Sequence, residues 1–329
     1  MNGTIAVLGA GAFGTALASV VAGEGDPVLL VGRDADRMRA IERTRVNEKA
    51  LPGVTLPKSL GATVDANVLS QADTVLLCMP AQALRGALET YGSALPDKTS
   101  LVICAKGIER SSGKFLADVV EEVLPDRTTA VLSGPGFAAD IARGLPTAMT
   151  IASDDMTEAE RLAGQVSRGT FRLYASDDVP GVETGGSLKN VLAIACGIVE
   201  GRGLGESARA ALIARGLAEL MRFARAHGGR ARTVSGLSGL GDLVLTATSH
   251  QSRNLRFGLA LGQGRSLDEV MAPGAPLSEG AFTASVAATI SVQKRIDMPI
   301  TQAVAAILDG KLGIEDAVST LMTRPLKSE

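Results

Sequence analysis

Residues 4–25 read TIAVLGAGAFGTALASVVAGEG, and few folds accommodate them. A short apolar run leads into Gly9-Ala10-Gly11-Ala12-Phe13-Gly14, and an Ala/Leu/Val-rich helix pattern follows. GxGxxG is a weak signal alone. Directly after a strand, and opening a helix, it is the fingerprint of a dinucleotide-binding βαβ unit. Gly9 permits the tight turn, Gly11 lets backbone approach a pyrophosphate, and Gly14 allows close helix–sheet packing. The N–H groups of Ala12 and Phe13 then face phosphate at a helix N-terminus. The competing reading is a Gly-rich turn with no ligand. Residues 1–23 hold no charged side chain and so mimic a signal peptide or membrane span. A basic flank is missing, and five glycines suit neither reading.

More strands of the buried type follow at PVLLVGR (27–33), DTVLLCMP (73–80), SLVICAKG (100–107), TAVLSGP (129–135), TAMTIAS (147–153) and FRLYAS (171–176). Their consecutive apolar positions suit a parallel sheet covered on both faces. Helical stretches such as SGKFLADVVEEVL (112–124) alternate with them. The expected fold is α/β: a Rossmann-type doubly wound sheet over residues 1–178, then an all-helical domain over 179–329. Strand signals cease beyond Asp178, and long Ala/Leu/Arg helices are expected at 182–200, 206–227, 278–294 and beyond Thr301.

The second strand ends VGRD. An acidic residue near this position binds the ribose 2′-hydroxyl of NAD, whereas an Arg accommodates the 2′-phosphate of NADP. Arg33 favours NADP with NAD tolerated; adenine stacking and a plain surface charge remain alternatives. Asp34 suits the cap of the next helix.

Composition narrows the function classes. The 33 basic and 35 acidic residues leave a net charge of −2, so no global field attracts nucleic acid or an anionic membrane. Aromatics are 3% with no Trp, too few for base-stacking platforms. Cys78, Cys104 and Cys196 lie far apart in sequence, without metal-ligand spacing, and read as reduced core thiols of a cytoplasmic protein. No metal is expected.

Within ETGGSLKNVLAIACG (183–197), Lys189 and Asn190 interrupt an apolar run. Either Lys189 snorkels to water, or it is held in a cleft for proton chemistry. On a helix its side chain leans back over Gly185 and Gly186, where missing side chains would admit a ligand. His227 reads as a helix C-terminal cap, and His250 as a neighbour of the Ser252-Arg253-Asn254 cluster. GLSGLG is not GxSxG, so hydrolase chemistry lacks its nucleophile elbow.

Four further stretches join GAGAFG: CAKGIE (104–109), SGPGFA (133–138), GGSLKN (185–190) and GLGDLVLTATSHQSRN (239–254). In this order and spacing, from about residue 4 to 308, the chain closely resembles the NAD(P)-dependent glycerol-3-phosphate dehydrogenases of the bacterial soluble type. The resemblance implies reversible reduction of dihydroxyacetone phosphate to sn-glycerol 3-phosphate by NADPH or NADH, feeding phospholipid synthesis. It makes Lys189 the proton donor and acceptor, with Lys106 and Asp242 assisting. Substrate contacts fall to Lys106, Gly134, Gly136, Lys189, Asn190, Asp242, Thr246, Ser252, Arg253 and Asn254, the cluster 252–254 holding the phosphate. Cofactor contacts fall to Gly9, Gly11, Ala12, Phe13, Gly14, Arg33, Lys106, Ala138, Arg253, Leu277 and Glu279. Family members more often carry Ser or Thr where this chain has Gly136, so one hydroxyl contact is missing. Partners are then small molecules, not nucleic acid or a membrane interior, and a homodimer is left open. The rivals are a reductase of another oxo compound and a regulatory dinucleotide binder that has lost catalysis. Lys106 and the 252–254 cluster oppose the first; Lys189 and Asp242 oppose the second.

Overall fold

A computed structural model describes residues 3–23, 25–272 and 278–325. Two compact units divide the chain: Met1–Glu109 with Lys114–Glu183, and Arg110–Gly113 with Thr184–Glu329.

The first unit is built on one sheet: β1 (Ile5–Leu8), β2 (Val28–Val31), β3 (Leu60–Thr63), β4 (Thr74–Leu77), β5 (Ser100–Ile103), β6 (Thr129–Ser133), β7 (Thr147–Ser153) and β8 (Phe171–Ser176). Their order is β3-β2-β1-β4-β5-β6-β7-β8. Its helices are α1 (Ala12–Ala22), α2 (Ala35–Thr44), α3 (Leu84–Tyr91), α4 (Leu116–Val123), α5 (Ala138–Ala142) and α6 (Met156–Val166). Along β1 the side chains alternate between two cores. Ile5 and Val7 pack with Leu17 of α1 and Met38 of α2, while Ala6 and Leu8 pack with Leu84 of α3 and Val119 of α4. Both faces are therefore dry, which is why the strands read as continuous apolar runs. The order reverses between β1 and β4, and ligands of such sheets bind at the carboxyl ends of strands at that reversal.

Two details depart from the sequence reading. β3 escaped it because only Leu60 of its four residues is buried, so an edge strand carries no apolar run. β7 pairs antiparallel with β6, Ser133 facing Thr150. Residues 134–146, between β6 and β7, hold only the five-residue helix α5, whereas a parallel crossover is usually built on a full α-helix. Register also brings two thiols together. Leu77 faces Ile103, and Cys78 and Cys104 are the residues following them; the Cys104 thiol donates to the Val102 oxygen at 3.6 Å. Burial first, and the neighbouring Cys104 second, push the Cys78 thiol well above the ordinary range.

α7 (Val179–Gly201) starts in the first unit and runs into the second. It is long and apolar enough to cross a membrane, yet its apolar window is wholly buried inside the protein. α8 (Glu206–Ala226), α9 (Ala231–Val234), α10 (Asp242–Thr248), α11 (Arg253–Gly262), α12 (Leu267–Val270), α13 (Glu279–Gln293), α14 (Pro299–Leu308) and α15 (Ile314–Met322) complete the second unit. Glycines let α7 and α11 meet backbone to backbone: a Cβ on Gly197 would lie 2.1 Å from the Leu255 oxygen, and one on Gly258 2.0 Å from the Ile194 oxygen.

Glu183, on α7, is buried and accepts a 3.1 Å hydrogen bond from the Ala117 N–H at the start of α4. Burial raises its pKa from 4.5 to about 8, with Asp118 and Asp154 adding to the rise and the α4 N–H groups opposing it. A raised carboxyl stabilises the fold most below its unfolded pKa, and that contribution fades as pH climbs through the folded value. A tenfold difference in proton affinity between the folded and unfolded chain is worth ~1.4 kcal/mol. Glu183→Gln keeps the acceptor and removes the titration. We expect the thermal midpoint of the Gln variant to rise relative to wild type between pH 4.5 and 8. A difference that does not change across that range would contradict the assignment.

Candidate active site

In the first unit the three fingerprint glycines do three different jobs. Gly9 has φ +117°, and a Cβ there would sit 2.7 Å from the Cys78 carbonyl group. A Cβ on Gly14 would lie 2.0 Å from the Gly9 oxygen, so α1 closes onto the loop only because residue 14 has no side chain. A Cβ on Gly11 would meet nothing within 4 Å. Gly11 is exposed, the α1 N-terminus has no side-chain cap, and its first turn has no acidic residue. The N–H groups of Ala12 and Phe13, which no intrahelical carbonyl can satisfy, open onto that space. The loop therefore fits a dinucleotide pyrophosphate.

Arg33 lies beyond the end of β2 and is exposed. Asp34 caps α2, accepting from the Arg37 N–H at 3.1 Å, as its sequence context suggests. Lys106 follows β5, and its Nζ donates to the Gly134 oxygen at 3.0 Å, joining two sequence candidates. Gly134 has φ +153°, and a Cβ there would lie 2.8 Å from Met149 Cα, so the site admits only glycine. Around Gly136, the ends of Ile141, Thr147 and Met149 stand 3.0–3.4 Å from where a Cβ would be. They fill the room that Ser or Thr would take. Ala138 begins α5, which packs along α1.

In the second unit Lys189 does not snorkel. It is 7% exposed, and its Nζ donates to Asp242 Oδ1 at 2.9 Å and to Thr246 Oγ1 at 2.6 Å. Thr246 Oγ1 in turn reaches Asp242 Oδ1 at 3.3 Å. Asp242 and Thr246 share one face of α10 at i, i+4 spacing, and a π-helical turn over Leu237–Gly241 delivers the chain to Asp242. Such a turn often marks a functional site. The space left by Gly185 is not open to a ligand, contrary to the sequence reading: a Cβ there would lie 2.5 Å from the Ser238 oxygen. That glycine lets the backbone leading to Asp242 press against α7, which sets the lysine–aspartate contact.

Asn190 Oδ1 accepts from Asn254 Nδ2 at 2.9 Å, and Asn254 Oδ1 accepts from Ser278 Oγ at 2.7 Å and from the Gly280 N–H at 3.1 Å. Ser278 had no sequence signal. Ser252 is the N-cap of α11, its oxygen accepting from the Leu255 N–H at 3.1 Å, while its hydroxyl hydrogen can still donate. Arg253 is exposed on the first turn of α11. Glu279 opens α13; Leu277 lies outside the described residues. His227 caps α8, its Nδ1 2.8 Å from the Phe223 oxygen. His250 Nε2 pairs with Glu200 Oε1 at 2.7 Å, and its backbone oxygen accepts from Arg256 Nη1 at 2.6 Å. Among the described residues no cluster of three or more His, Cys, Asp or Glu could hold a metal.

Chemically, the second unit offers a buried ammonium oriented by a carboxylate and a hydroxyl, beside amide, hydroxyl and guanidinium donors at a helix N-terminus. That set can protonate a carbonyl oxygen and bind a phosphate dianion. Known proteins resemble the chain over its whole length. Residues 4–159 match the N-terminus of NAD-dependent glycerol-3-phosphate dehydrogenase, and residues 178–319 its C-terminus. The glycerol-3-phosphate dehydrogenase [NAD(P)+] of Rhizobium etli is 60% identical, with both chains covered completely. The same enzyme of Brucella canis is 50% identical, again over 100% of both chains. A crystal structure of glycerol-3-phosphate dehydrogenase from Coxiella burnetii is 38% identical, with TM-score 0.93, over 98% of this chain and 99% of that one.

Proposed function

The chain belongs to the NAD-dependent glycerol-3-phosphate dehydrogenase family, and from that premise we propose that it reversibly reduces dihydroxyacetone phosphate to sn-glycerol 3-phosphate. The buried Lys189–Asp242–Thr246 cluster carries this reading. The reduced nicotinamide cofactor supplies the hydride when bound. Lys189 Nζ gives its proton to the substrate carbonyl oxygen and takes it back in reverse. Asp242 and Thr246 fix the direction of the ammonium, and Asn190 helps hold the substrate. Ser252, Arg253 and Asn254 hold the phosphate, with Lys106 and the Gly134 and Gly136 backbone assisting. Gly9 to Gly14, Arg33, Ala138, Leu277 and Glu279 serve the cofactor. The product suits glycerophospholipid synthesis, the setting is the cytoplasm, and a homodimer is one assembly that the chain can adopt. A regulatory protein without catalysis would have no use for a buried lysine–aspartate pair, which costs desolvation to keep.

Product analysis tests the reading. Incubation with dihydroxyacetone phosphate and NADPH should yield sn-glycerol 3-phosphate, one molecule per dinucleotide oxidised. Dinucleotide oxidation without that product would overturn it.

Cofactor choice follows from Arg33. We expect NADPH to serve at least as well as NADH. Arg33→Ala should raise the KM for NADPH by the ~1.5–3 kcal/mol of a charge-assisted contact and leave NADH nearly unchanged. Equal losses with both cofactors would move Arg33 to adenine stacking.

A further inference from the structure

Beneath the glycine loop lies a buried polar network that the sequence does not signal. Asn47 is 1% exposed. Its Nδ2 donates to the Ala10 carbonyl at 3.2 Å and to Thr15 Oγ1 at 2.7 Å, and its Oδ1 accepts from Arg37 Nε at 3.0 Å. A second nitrogen of Arg37, Nη2, also donates to the Ala10 carbonyl. The Arg37 guanidinium stays protonated and can only donate, so the Asn47 amide has a single orientation, with oxygen towards Arg37 and nitrogen towards Ala10. Both hydrogens of Nδ2 are thereby used. Asn47 is itself held by its turn, its backbone oxygen accepting from the N–H groups of Ala50 and Leu51. Thr15 sits on α1, one turn beyond Gly11, to whose carbonyl its N–H is bonded at 2.9 Å. The network thus joins loop, helix and the segment after α2.

The Ala10–Gly11 peptide is trans, and in a trans peptide the carbonyl and the following N–H point to opposite sides. Two donors hold the Ala10 carbonyl towards Arg37 and Asn47. The Gly11 N–H is consequently directed to the other side of that peptide. We infer that Asn47 and Arg37 are positioning residues for pyrophosphate: by fixing the Ala10 carbonyl they fix the direction of the Gly11 N–H as an anion donor. This rests on the reading that the loop from Gly9 to Gly14 binds the dinucleotide. Neither side chain needs to touch the ligand. Without the network the Ala10–Gly11 peptide can rotate and present a carbonyl oxygen where an anion must bind.

Binding of ADP and of adenosine, measured by calorimetry on the full chain, tests the inference, because only ADP carries the pyrophosphate. Asn47→Asp preserves shape and the Arg37 contact but replaces the donor facing the Ala10 carbonyl with an acceptor. It should weaken ADP by about tenfold or more, the scale of one or two lost buried hydrogen bonds, and leave adenosine within about twofold. Arg37→Met, which removes the other donor while keeping apolar bulk, should show the same split to a smaller degree. Equal losses of ADP and adenosine in both variants, or no loss in either, would overturn the inference. Wild-type protein that binds neither ADP nor NADPH would instead sink the loop assignment beneath it.

Discussion

Replacing Lys189 by Met is expected to leave a folded protein that binds NADPH normally and loses ~10²–10⁴ in kcat, the usual range for a general acid–base. Met has similar length and apolar bulk, so it fills the space among the buried residues of α7 and α10. The cost lies in the partners. Asp242 is 2% exposed and keeps Thr246 as a donor, but it loses the ammonium at 2.9 Å. Breaking one side of a buried pair costs ~3–5 kcal/mol, so the variant is also expected to unfold at lower temperature. Loss of rate must therefore be measured where the variant is folded, with NADPH affinity as the control. Retention of more than about a tenth of wild-type kcat, well outside the range for a lost general acid, would leave the catalytic acid unassigned.

The second large effect concerns phosphate. Dihydroxyacetone lacks the dianion that Ser252, Arg253 and Asn254 are proposed to hold. Two charge-assisted contacts at about 1.5–3 kcal/mol each put the loss in kcat/KM at ~10²–10⁴-fold. Part of that loss should appear in kcat, because binding energy from a remote group is used to orient the reacting carbonyl. Asn254 sharpens the expectation. Its oxygen is engaged by Ser278 and Gly280, and one Nδ2 hydrogen by Asn190. Only its second Nδ2 hydrogen is then left for phosphate. Arg253→Ala should accordingly weaken phosphate recognition more than any conservative change at Asn254. Similar kcat/KM values with and without the phosphate would remove the cluster from the mechanism.

The central strands were legible because both faces of the sheet are dry, so Ile5–Leu8, Thr74–Leu77 and Ser100–Ile103 are buried throughout and, apart from Thr74 and Ser100 at their starts, apolar. The fingerprint was legible because each glycine answers a separate backbone demand. What escaped has no periodicity. Leu60–Thr63 is an edge strand with one buried residue. Asn47 sits in RVNEKALPG, where nothing marks a polar side chain as buried under a loop 37 positions earlier. The neighbouring positions of Cys78 and Cys104 depend on strand register, and the antiparallel β7 follows a connection whose helix has only five residues. In the second unit the motifs marked Lys189, Asp242 and Thr246 individually, but only folding shows one ammonium bound to both α10 side chains. Gly185 was misread because a missing side chain serves a neighbouring backbone as readily as a ligand.

Initial rates of NADPH and NADH oxidation by dihydroxyacetone phosphate, taken side by side on the wild-type and Lys189→Met proteins, test the central claim most directly. Wild type should oxidise both cofactors, NADPH at least as efficiently as NADH, and Lys189→Met should be slowed by ~10² or more with each. A wild-type protein inert towards dihydroxyacetone phosphate with both cofactors, or a Lys189→Met protein nearly as fast as wild type, would contradict it.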